Sequence, residues 1–236
     1  MNLKPKVAGL AGILTGLGLA GEFLFFMASG YSPEIFNDPV AALAFLRDRG
    51  NLLRLAVFFG AVSVAARTLF VAGLASRLQA ATPSRAAASL YFGLLGGIGG
   101  LVALSFYVGP PMFVALAARD QVAAASAWSA FSIILSGFEG LGNFMLGLML
   151  LAAGSAIITH KALPVGAGWA GLLVGLMTEV RVFSTGTPLA GLAFAMFFFP
   201  TLILAIVFDI WAGIALWQSE SRERPRTLGQ AEAATG

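Results

Sequence analysis

An all-α polytopic membrane protein, built as a bundle of six transmembrane helices, is the fold class the sequence predicts. Three observations predict it: 58% of residues are hydrophobic and only 11% charged, apolar stretches of bilayer-spanning length follow one another along the chain, and the basic residues sit mostly in the short segments between them. Soluble domains carry about 25% charged residues, and a water-soluble fold could not hide this much apolar surface.

A hydrocarbon core about 30 Å thick needs about 20 apolar residues of helix. The first stretch, Val7 to Ala28, follows Lys4 and Lys6 and so begins like a secretory signal. It exceeds the roughly 7–15 apolar residues of such a signal and contains Glu22, so it reads as a spanning helix. Next, Asp38-Pro39 supplies an N-cap and a proline suited to the first helical position, and Gly50 a C-terminal stop. Val40, Leu43 and Leu46 fall along one side between them. The pattern predicts a short amphipathic interfacial helix after the first span, with a lid over a cavity as the functional alternative.

The second and third spans are Leu52 to Ala75 and Ala86 to Gly109. Pro110-Pro111 ends the third and precedes a short apolar segment through Ala118. Trp128 to Ala153, Leu163 to Phe183 and Leu189 to Trp217 complete the six, and Pro200 should kink the last. Residues 1–218 therefore form one transmembrane domain. From 219 to 236 the chain is too polar to build a core and is expected as a disordered cytoplasmic tail whose arginines contact anionic lipid.

Lys and Arg are retained on the cytoplasmic side. With both termini inside, Lys4, Lys6, Arg77, Arg85, Lys161, Arg222, Arg224 and Arg226 are cytoplasmic, against Arg47, Arg49 and Arg119 outside. Tyr31, Tyr107 and Trp128 then mark outer helix ends, and Tyr91, Trp169 and Trp217 inner ones. Gly93 with Gly97 and Gly96 with Gly100 make small-residue faces for close helix packing within the chain or between copies. Short matches relate the first helix equally well to the fourth and to the fifth. A Gly/Ala/Leu-rich composition explains them without an inverted repeat.

Several chemistries are excluded. The chain has no cysteine and one histidine, which removes thiolate metal sites, cysteine nucleophiles and bis-histidine haem ligation. No lysine lies inside a span to carry a retinal Schiff base, and neither HExxH nor GxxxxGK[ST] occurs. No basic patch suggests nucleic acid. No metal or cofactor is expected, and the weight of the reading is against an enzyme.

Charged groups inside hydrocarbon are costly and are candidate functional residues by default. Counting about 1.5 Å per residue from the helix ends puts Glu22, Arg54, Glu179 and Arg181 toward the outer side, and Arg67 and Asp209 toward the inner. An inner Arg67–Asp209 ion pair and an outer cluster of the other four follow, either as structural pairs or as an ion path. Glu139 falls near the middle of the fourth span with no arginine expected at its depth. Asn143, Ser132 and Ser136 lie on its face, as hydrogen-bonding company for an acid that binds a cation or relays a proton or, with equal weight, stays neutral and joins helices.

Asn51-Leu52-Leu53-Arg54-Leu55 opens the second span. Ala162-Leu163-Pro164 followed by Gly168-Trp169-Ala170-Gly171 opens the fifth, and Pro200 with Asp209-Ile210-Trp211 marks the sixth. In this order they resemble, over about Val7 to Trp217, a bacterial family of six-helix membrane proteins catalogued only as a domain of unknown function. The resemblance implies the architecture and a bacterial cytoplasmic membrane, and no activity. The family more often has Glu where this chain has Asp209, and a basic residue where it has Val165.

The expected function is non-enzymatic: an accessory subunit of a larger membrane complex, or a protein that binds lipid or a small ligand. The alternative is a transporter of a small solute, ion or proton along the intramembrane carboxylates. Expected partners are membrane lipids and other membrane-complex subunits.

Overall fold

The computed structural model of the chain describes residues 3–30, 32, 35, 38–108 and 110–233, without the side chains of 103–108, 110 and 220–233. Within them the chain forms seven helices: α1 Pro5–Ser29, α2 Pro39–Gln79, α3 Pro83–Val108, α4 Pro110–Ala117, α5 Gln121–His160, α6 Val165–Ser184 and α7 Ala190–Ala233. Six of them, all but α4, are long and apolar enough to cross a membrane.

Local chemistry sets the ends. Pro5 starts α1, and Gly30, at φ 77°, stops it by donating its N–H to the Met27 carbonyl at 3.0 Å. The Asp38 carboxylate caps α2 by accepting from the Val40 and Ala41 N–H groups at 2.9 and 3.2 Å. Asp120 caps α5 in the same way through Ala123.

Contacts run α1–α2, α2–α3, α3–α5, α5–α6, α6–α7 and α7–α1, so the spanning helices close a ring in that order. The end where α1 starts and α2 and α5 finish is here called basal, the other distal. Lipid tails are as apolar as leucine, so helices in a bilayer associate through close packing rather than through the hydrophobic effect. Glycine supplies that closeness. A Cβ at Gly213 would lie 2.7 Å from the Gly9 carbonyl oxygen, joining α7 to α1, and one at Gly154 would lie 2.7 Å from the Gly168 oxygen, joining α5 to α6. Gly93 packs on Val71 of α2, while Gly96 and Gly99 pack on α5 around Gly142. These small-residue faces serve contacts within the chain.

The segment after the first span departs from expectation. It is helical from Pro39, but it does not stop at Gly50: it is the first part of the continuous helix α2. Gly50 meets nothing within 4 Å, and glycine inside a helix costs only about 1 kcal/mol. Leu46 and Leu53, seven residues apart and so on one face, both pack against Trp128 of α5, offsetting that cost. At about 1.5 Å per residue α2 is about 60 Å long, twice a hydrocarbon core. Its distal part, α4 and the start of α5 share a second apolar cluster. Trp128 fills that cluster with 1% exposure and is not a belt residue at the lipid surface.

Tyr91, Trp169 and Trp217 are exposed; Tyr31 and the Tyr107 side chain lie outside the described residues. Helix α7 runs through Pro200 and continues as backbone to Ala233, across the stretch expected as a disordered tail. The side chains of 220–233, Arg222, Arg224 and Arg226 among them, lie outside the described residues.

Candidate functional site

Most charged side chains of the spans stand on helix faces that also carry buried residues. Glu22 follows Ala11, Thr15 and Gly18, buried residues at helical spacing on α1. Arg67 shares the buried face of Gly60, Ser63, Phe70 and Leu74 on α2, and Asp209 that of Ala212 and Leu216 on α7. Arg181 continues the Val174 and Thr178 face of α6. Glu139 lies four residues after Leu135 and three before Gly142, both buried, yet is itself exposed. Gly137 and Gly140 beside it meet nothing within 4 Å.

Arg67 and Asp209 form an ion pair with Nη2 and Oδ2 3.2 Å apart, their side chains 12% and 4% exposed. The charges of Arg67 and Glu139 both act on Glu22, and the charge of Glu139 acts on Arg181. Five residues on five helices are thus linked electrostatically in the order Asp209, Arg67, Glu22, Glu139, Arg181, with Glu22 and Glu139, on helices that are not ring neighbours, the one like-charged step. The Arg181 guanidinium also lies over the Phe198 ring of α7, 5.6 Å from its centroid.

Phe70 and Phe208, both fully buried, meet edge to face at 6.1 Å. Around and below them an apolar core draws on all six spanning helices, with Leu74, Met149, Val174 and Leu216 buried in it. An apolar core thus fills the basal part of the ring.

The outer cluster expected from counting residues is not assembled. Arg54 is exposed and its Nη1 donates to Asn51 Oδ1 at 3.5 Å, because it stands one turn from the α2 residues that leave the ring. Glu179 stands apart from the line. It is 8% exposed, lodged against Gly147 of α5, and neither carboxylate oxygen has a hydrogen-bond partner. Glu139, expected without a basic neighbour, carries a charge that acts on Arg181 of α6. The Ser132 and Ser136 hydroxyls donate to the Ser129 and Ser132 carbonyls of their own helix and so are not its company. Asn143 is partly buried one turn from Glu139.

Two residues escaped sequence reasoning. Phe198 is one of 20 phenylalanines and carries no local signal of its contact with Arg181. Gly147 is indistinguishable in sequence from the packing glycines, although a Cβ there would collide with the Glu179 carboxylate. Among the described residues no group of three or more His, Cys, Asp or Glu could hold a metal ion.

Six apolar spans around a line of intramembrane charge define an integral membrane protein. The chain belongs to the family described as "Domain of unknown function (DUF4386)", which matches residues 4–214. No curated protein and no solved structure matches it.

Proposed function

We propose that the protein binds a small cation between Glu22 and Glu139, admitted from the distal side. The like-charged step in the line carries this reading. Within the spans the acids Glu22, Glu139, Glu179 and Asp209 outnumber the bases Arg54, Arg67 and Arg181 by one. An uncompensated charge in a medium of low dielectric is costly, and two carboxylates brought together repel unless a cation or proton lies between them. The binding-protein reading is favoured over transport because an apolar core drawn from all six spans fills the basal part of the ring.

The proposal extends to placement: a bacterial cytoplasmic membrane, the basal end and both termini on the cytoplasmic side. Lys4, Arg77, Arg85 and Lys161 at the basal end support it. Since the chain has no cysteine, Ala118→Cys and Ala81→Cys can be labelled singly in intact cells with an impermeant maleimide. Labelling of the first alone fits this orientation; labelling of the second alone reverses it.

For the site itself, the full chain in detergent is unfolded thermally in sodium, potassium or methylammonium chloride. N-methylglucamine, too bulky for the gap, keeps ionic strength constant. A saturable rise in Tm with a small cation is expected, lost in Glu22→Gln and Glu139→Gln. Identical Tm in all salts would rule the reading out.

A further inference from the structure

Glu179 is an acid set into a helix seam. It is 8% exposed, and neither carboxyl oxygen has a hydrogen-bond partner. The carboxyl group occupies the room left by a glycine: a Cβ at Gly147 of α5 would collide with Oε1, with Cδ at 3.0 Å and Cγ at 3.3 Å. The seam is tight on both sides of this notch. One turn toward the base, a Cβ at Gly175 would lie 2.9 Å from the Gly147 carbonyl oxygen and from Leu151 Cγ. One turn toward the distal end, the rings of Phe144 and Phe183 meet edge to face at 5.7 Å.

Two helices pack on α6, and their titratable groups are distant or engaged. On α5, Glu139 lies eight residues from Gly147, and Asp120 and His160 stand at the helix ends. On α7, Asp209 is paired with Arg67. Arg181, two residues past Glu179 and so about 200° around the helix, lies over Phe198. What α5 does offer is backbone. A carboxylate only accepts hydrogen bonds, and inside a helix each N–H already donates to the carbonyl four residues back. A carbonyl oxygen keeps a second lone pair, and that of Gly147 faces α6. The carboxylic acid, with an O–H to donate, is therefore the form that suits the notch, whereas an unpaired carboxylate in hydrocarbon is costly.

We propose that Glu179 is a proton-binding site that latches α6 to α5. Holding the proton, it donates its O–H to an α5 carbonyl oxygen in the Gly147 notch. On release the O–H bond breaks, the electron pair stays on the carboxylate and the proton passes to water at the distal helix ends. Glu179 stands five residues before the end of α6 at Ser184, about 7.5 Å along the axis, so that way is short. The carboxylate then leaves the notch, and α5 and α6 part. Neither Glu22 nor Glu139 takes part, so the latch does not rest on the cation-binding reading.

The chain has no cysteine, so Leu141→Cys on α5 and Val180→Cys on α6, both at exposed positions, carry a spin-label pair on the full chain in detergent. With Glu179 intact, the distance between labels is expected to lengthen from neutral to alkaline pH. Glu179→Gln, neutral at every pH, should keep the short distance throughout. Protonation is read separately by infrared absorption: at neutral pH the intact chain should show the C=O stretch of one carboxylic acid that Glu179→Gln lacks. Loss of a carboxylate band instead overturns the proposal, and so does the same pH response of the distance in both proteins. Should Glu179→Gln fail to fold, the labelled chain with Glu179 intact decides alone: a distance unchanged between neutral and alkaline pH overturns the latch.

Discussion

The basal and distal halves of the ring are made from the same residue types and behave oppositely. In the basal half glycines bring backbones together, so α7 buries Phe208, Ala212 and Leu216 against its neighbours. Apolar side chains are exposed in both halves, Leu189 and Leu192 at one end of α7 and Ile214 and Trp217 at the other; in the distal half Gly137, Gly140 and Gly191 meet nothing within 4 Å. Charge accumulates where the packing loosens. A dry, interlocked base can hold an ion pair in fixed geometry, whereas an open half leaves carboxylates reachable.

The comparison can be broken by substitution, with stability read by reversible unfolding in detergent. The largest effect is expected at the base of the line. Asp209→Ala leaves Arg67 buried without its partner and should cost about 3–5 kcal/mol; a loss under about 1 kcal/mol would mean that water already reaches the pair. Gly213→Ala places a methyl group against the α1 backbone and should cost about 1–3 kcal/mol. The same exchange in the open half, Gly137→Ala, meets nothing within 4 Å and should stabilise by about 0.5–1 kcal/mol through helix propensity. Equal effects at the two glycines would erase the distinction between the halves. The smallest effect is expected at Glu139→Gln, within about 1 kcal/mol, because that side chain is already exposed.

Much of the architecture was legible. Apolar length fixed the six spans, and the prolines and caps fixed most ends, since hydrogen-bond satisfaction in a bilayer permits little but helix. Gly50 misled because a helix stop is a local signal, whereas Leu46 and Leu53 gain their partner Trp128 from a helix far along the chain. Counting residues sorted the buried charges by depth but not by direction around the ring. Arg54, Glu179 and Arg181 share a depth and point to different neighbours.

The sequence by itself determined that the chain crosses a membrane, how often, and which charged groups are carried into hydrocarbon, because transfer free energy depends on composition and length. Only the tertiary structure decided that Arg67 pairs with Asp209, that Arg181 lies over Phe198 and that one apolar core joins all six spans. Those depend on helix order, rotation and tilt, which packing across the ring sets and no single helix contains.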